Sequence, residues 1–144
     1  MSTPSHFEKL ARMYLNANTN RYYSPLITIQ KGKAEIEIQI KEDFFQSAGI
    51  VHGSVYFKLL DDSAYFASNS LVMDVHLVTV SFNVYFLRPL NSGIMKGIGT
   101  VSHQSNRLII AESKVFDHRG KVAAQGTGTF MKTTIALDEK AGYI

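Results

Sequence analysis

One long apolar helix followed by four strand-like segments, with only short polar turns between them, limits the fold of this chain more than any other feature of its sequence. From about Gly53 to Ser70 the apolar residues recur at helical spacing. Val55, Tyr56, Phe57, Leu59, Leu60, Ala64, Phe66 and Ala67 cover about 200° of the circumference at about 100° per residue. A helix with so wide an apolar face is predicted to be largely surrounded by protein. From His76 to Arg88 the period changes to two, through Val78, Val80, Phe82, Val84 and Phe86, and Pro89 stops the run. Three further strands are predicted at about 94–103, 107–117 and 121–132, separated by Gln104-Ser105-Asn106 and Asp117-His118-Arg119-Gly120, both read as tight hairpins. Strands grouped around one helix are an α+β arrangement, not the alternation of a doubly wound nucleotide-binding fold, and no G-x-G-x-x-G fingerprint is present.

Upstream, a Ser5/Glu8 capping box opens a short amphipathic helix that reaches about Ala17 and carries Phe7, Leu10, Ala11, Tyr14 and Leu15 on one side. Residues 33–41 alternate strictly, which puts Ala34, Ile36, Ile38 and Ile40 on one face of a strand with a wet opposite side. One or two strands therefore precede the long helix, giving an antiparallel sheet of about five or six strands. A single helix cannot cover both faces of such a sheet, so a second copy of the chain is expected to supply the rest.

The 144 residues, 45% of them apolar, suit one domain with a core that needs no disulfide or metal. The absence of cysteine excludes disulfides, thiolate zinc sites, iron–sulfur clusters and a cysteine nucleophile. His6, His52, His76, His103 and His118 are scattered without paired ligand spacing, so no metal site is read. The net charge of +3 is spread from Lys9 to Lys140 without a run, which argues against nucleic acid and leaves room for a small anionic ligand. No apolar stretch exceeds four residues and the first residues lack a signal-peptide apolar block, so a cytoplasmic protein without membrane association is expected.

Chemistry concentrates between residues 46 and 62. A polar stretch, Gln46 to Gly49, leads into His52-Gly53 at the start of the long helix, where free N–H groups and the helix dipole favour negative charge. Glycine at 53 lets a carbonyl oxygen approach its N–H closely. Two turns on, Asp61 and Asp62 interrupt the apolar pattern. Asp62 falls beside Lys58, as in an ordinary surface ion pair, whereas Asp61 falls on a mixed face with Phe57, Ser54, Ser68 and Tyr65 that a partner copy could close. That placement favours Asp61 as the functional acid.

Gln46, His52-Gly53 and Asp61, together with SFNVYFLRPL at 81–90 and GKVAAQGTGTF at 120–130, resemble the hotdog-fold acyl-CoA thioesterases of the phenylacetate-degradation and 4-hydroxybenzoyl-CoA thioesterase type. The similarity spans about residues 30–131. It implies a single hotdog domain over 1–144, with an N-terminal helix and lead-in over 1–28, the core over 30–131, in which the sheet wraps the long helix, and a C-terminal tail over 132–144. It also implies a dimer with edge-to-edge sheets, extending to a dimer of dimers, and active sites at the subunit boundary. Gly53 N–H would polarise the thioester carbonyl from one subunit and Asp61 would act from the other as general base or nucleophile. Gln46 would orient water or the thioester oxygen, and His52, the fourth candidate catalytic residue, is read as fixing the loop presenting Gly53, with direct proton transfer as the alternative. No metal or separate cofactor is implied, since coenzyme A is part of the substrate.

The anionic end of coenzyme A calls for basic groups beside backbone donors. Arg88 and the hairpin containing His103, Ser105, Asn106 and Arg107 fit that need, and the acyl pocket would draw on Phe57, Tyr65, Val80 and Phe82. Two departures from the family pattern stand out. Tyr65 occupies the place of a water-positioning Ser or Thr four residues after the acid, leaving Tyr65, Ser63 or Ser68, or Gln46 and Asp61 alone, to hold water, and Ser54 stands where many relatives have a second glycine. The leading expectation is hydrolysis of a small or medium acyl-CoA, aliphatic or aromatic. The alternatives are a non-catalytic acyl-CoA binding or regulatory protein, and a hydratase or dehydratase on the same fold.

Overall fold

A computed structural model describes residues 3–144. Ser5 Oγ accepts the N–H of Glu8 at 3.1 Å, which completes the expected capping box and starts α1 (His6–Asn16). Two short strands follow, β1 (Leu26–Gln30) and β2 (Lys33–Gln39), and then α2 (Gly53–Asn69). The remaining elements are β3 (Val75–Phe86), β4 (Ile94–Gln104), β5 (Leu108–Phe116) and β6 (Val122–Ala136). β6 thus continues four residues past the predicted end at 132, and residues 137–144 return to α1, where Tyr143 OH donates to His6 Nδ1 at 2.8 Å.

All six strands form one antiparallel sheet in the order β1-β2-β4-β5-β6-β3, curled around α2. This is the hotdog arrangement that the resemblance implied. Val55, Tyr56, Leu59, Leu60, Ala64, Phe66 and Ala67 are buried, as their spacing predicts; Ala64 packs with Leu77, Ile109 and Phe130, and the others with Ile36, Ile38 and Met95 of the sheet. Two glycines allow the helix to lie this close. A Cβ built on Gly97 would stand 2.9 Å from Leu59 O, and one on Gly99 would stand 2.3 Å from the carbonyl of Ser63.

Two expectations fail locally. Phe57 is 38% exposed and lies outside the buried face of α2. In β3 the register shifts between Thr79 and Ser81, a bulge at Val80, so the alternation does not run unbroken from Val78 to Phe86. Leu77 is buried, while Val78 and Val80 are 47% and 49% exposed. Among the described residues no helix is long and apolar enough to cross a membrane.

Candidate active site

Helix α2 carries two different chemical stations. At its N-terminus, His52 is the cap, and its Nδ1 accepts the N–H of Ser54 at 3.0 Å. An accepting Nδ1 places the ring proton on Nε2, and Ser54 Oγ lies 2.7 Å from the same Nδ1. Val55 N–H donates to His52 O at 3.0 Å, and among the described residues the N–H of Gly53 has no protein partner. The ring of Phe86 flanks it, 3.3 Å from where a Cβ at position 53 would sit. The preceding loop is held by His52 N–H donating to Phe44 O and Val51 N–H to Leu90 O, both at 2.8 Å. Gln46 closes this loop on itself, its Oε1 accepting the N–H of Ala48 and its carbonyl that of Gly49 at 3.0 Å.

Two turns further, Asp61 lines a groove of about 450 Å³ between α1, α2 and the start of β3. Its Oδ1 accepts a hydrogen bond from Thr79 Oγ1 at 2.9 Å. Burial pushes its carboxyl above the ordinary aspartate range, the Thr79 hydrogen bond and Lys58 pull it down, and the charge of Asp62 adds to the rise. Asp62 lines the same groove but has its own partners, since its Oδ2 accepts from Tyr14 OH and lies beside Lys58 Nζ, each at 2.7 Å. The pairing of Asp62 with Lys58 is as its helix position predicts, but both acids face one groove and the pair is largely withdrawn from solvent.

Thr79 carries no mark in the sequence that sets it apart from other strand threonines. Its contact with Asp61 sits next to the bulge at Val80, which no alternation pattern announces. The hydroxyl of Tyr65 donates to Leu77 O at 2.9 Å and accepts the Leu77 N–H at 3.2 Å, and burial pushes its pKa up to about 12. Tyr65 lines the groove but its oxygen is committed to the backbone. Ser63 and Ser68 are fully buried and bond to the carbonyls of Leu60 and Ala64 within α2. Phe82 stacks edge-on against Phe57 at 5.4 Å, and neither they nor Val80 line the Asp61 groove.

The other residues divide between the two ends of the sheet. Leu87 and Arg88 both donate to Ala123 O, and Tyr56 OH donates to Arg88 O, so Arg88 stands at the Gly53 end. The β5–β6 turn is beside it: the Asp117 carboxyl, held low chiefly by the Lys121 and Arg119 N–H groups, also feels His118 and Arg88. This turn adds Arg119 and Lys121 to the basic groups at that end. His103, Ser105, Asn106 and Arg107 lie at the opposite end, where the register runs Ile109↔Phe130 and Phe130↔Thr79. Within one chain they are not near Arg88. Among the described residues no three His, Asp or Glu side chains converge to hold a metal ion.

The family model described as the thioesterase superfamily matches residues 48–124, a span that includes both stations of α2. The chain belongs to the thioesterase superfamily and is a hotdog-fold thioester hydrolase. A Saccharolobus solfataricus protein with a provisional esterase name is 28% identical over 105 residues, 73% of this chain and 75% of that protein. The 1,4-dihydroxy-2-naphthoyl-CoA hydrolase of Listeria monocytogenes is 23% identical over 116 residues, 80% of this chain and 90% of its own length. Among solved structures, the Escherichia coli PaaI protein of the phenylacetic acid degradation operon superposes with a TM-score of 0.84 at 19% identity, covering 92% of this chain and 96% of that one.

Proposed function

We propose that the chain hydrolyses a small or medium acyl-CoA, aliphatic or aromatic, to the free acid and coenzyme A, at sites shared between two copies. The observation that carries this reading is the separation of the two stations. Gly53 and Asp61 are eight residues apart on one helix, about 12 Å along its axis, too far to meet at one carbonyl carbon. Between them lies the outer edge of β3, twelve residues long, with Val78, Val80, Tyr85 and Phe86 exposed. An apolar unpaired edge of that length is a template for another strand. A two-fold axis through it would reverse the second copy, bringing the Gly53 end of one α2 toward the Asp61 groove of the other.

In that assembly the thioester oxygen accepts the Gly53 N–H, and the helix dipole favours the negative charge that develops on it. Asp61 acts by one of two routes. As a base it takes a proton from water, the hydroxide adds to the carbonyl carbon, and the tetrahedral intermediate expels the thiolate. As a nucleophile it forms a mixed anhydride with loss of thiolate, and water then cleaves the anhydride. Thr79 aims the carboxylate, the groove receives the acyl group, and the basic groups Arg88, Arg119 and Lys121 suit the phosphates. The naphthoyl substrate in the Listeria relative's name supports including aromatic acyl groups.

The test is a panel of acyl-CoA thioesters with detection of free thiol, run on the purified chain and on Asp61→Asn. Thiol release by the wild type and a loss of at least about 100-fold in the variant are expected. Saturable binding without thiol release in the wild type would replace this reading with that of a binding protein.

A further inference from the structure

A second polar cluster lies against the Asp61 station, and hydrolysis as derived above assigns it no task. Lys58 Nζ and Tyr14 OH converge on Asp62 Oδ2, each at 2.7 Å. The same ammonium stands 5.3 Å from the ring centre of Tyr14 and 5.2 Å from that of Tyr23. The Lys58 and Asp62 side chains are only 14% and 16% exposed, so this is not the solvated surface pair that adjacent acids suggest. A pair withdrawn from water this far persists only when each partner is further held, and here the residues that hold it come from outside the matched span of 48–124.

The chain order makes the cluster consequential. Asp61 and Asp62 are consecutive, so an unpaired charge on Asp62 would oppose ionisation of its neighbour, while Lys58, one turn before both, favours it. Among the described residues, the charged and titratable groups around the groove are Lys58, Asp62 and Tyr65 on α2, Tyr14 on α1 and His76 on β3. Tyr14 and Tyr65 are buried phenols whose pKa values are raised, so they remain neutral through the working range. Lys58 and Asp62 are then an ion pair of opposite sign beside the acid, with His76 facing the groove from β3.

We propose that Lys58 and Asp62, locked together by Tyr14, are positioning residues whose opposed charges set the proton affinity of Asp61 and thereby the acid limb of hydrolysis. This rests on the reading that Asp61 is the reactive acid. Lys58→Gln is expected to move the acid limb of kcat/KM upward by about half to one pH unit, and Asp62→Asn to move it downward by a similar amount. Lys58→Arg keeps the charge and is expected to leave the limb near the wild-type position. A purely structural role would shift both charge-removing variants in one direction or leave both unmoved. The carboxyl ¹³C shift of Asp61, followed against pH in the same folded variants, reads the same displacements without turnover. If the wild type proves inactive, this titration still decides the proposal while the hydrolytic reading fails. Shifts of one sign in both variants, or of less than about 0.2 unit in both, would overturn it.

Discussion

The two stations of α2 are built in opposite ways. At the Gly53 end the chain offers a bare backbone donor, an exposed cap and a basic turn, and among the described residues no acid is buried there. At the Asp61 end a half-buried carboxylate is held by Thr79 and a polar clamp, and no free backbone N–H lies beside it because the helix interior uses its own. Each region has what the other lacks. On the proposed reading, one helix serves a two-part site only when the fold is doubled, and the long apolar edge of β3 offers a place for a second copy.

Neutralising the acid of α2 has the largest expected effect. Asp61→Asn should lower kcat/KM by at least about 100-fold, measured by thiol release. The same variant should melt higher than wild type at neutral pH. Burial raises the Asp61 pKa in the fold, so the folded chain binds more protons than the unfolded one between the two pKa values. Stability therefore falls as pH rises through that window, and removing the charge restores it. Thermal unfolding at pH 7 and again below the unfolded pKa of the acid checks the sign, since the advantage should shrink at the lower pH.

At the opposite end, Gly53→Pro removes the N–H and sets a Cβ 3.3 Å from the Phe86 ring, which must give slightly to admit it. Proline suits the first position of a helix, and His52 before it is already extended at φ −64° and ψ 143°. A loss of about 100-fold in kcat with unchanged circular dichroism is expected. Between the two stations, Val80→Lys places a charge on the apolar edge. Sedimentation should show monomers, and activity at micromolar protein should fall by about 10-fold or more. The smallest effect sharpens the Asp61 end. Ala17 lines the groove where α1 ends, and Ala17→Phe should narrow it, lowering the rate on long acyl chains relative to short ones by several-fold.

Much of this was legible in the sequence, for reasons that differ by residue. The wide apolar face of α2 and the grouped strands dictated the wrapped helix, because both signals are periodic and local. The different partners of Asp61 and Asp62 follow from one angular step on the helix. Thr79 was hidden because its role depends on β3 turning at the Val80 bulge. The tightness of Lys58 with Asp62 was hidden too, since Tyr14 and Tyr23 arrive from a distant part of the chain. The division of the basic residues between the ends of the sheet is set by strand register, which composition does not encode.

The central claim is best tested by pairing the two disabled chains. Asp61→Asn and Gly53→Pro are each expected to be nearly inactive alone. Co-expressed in equal amounts they should form mixed dimers in half of the random pairings, each with one intact and one doubly impaired site, restoring about a quarter of wild-type activity. A purified mixed dimer no more active than its two parents would contradict the account.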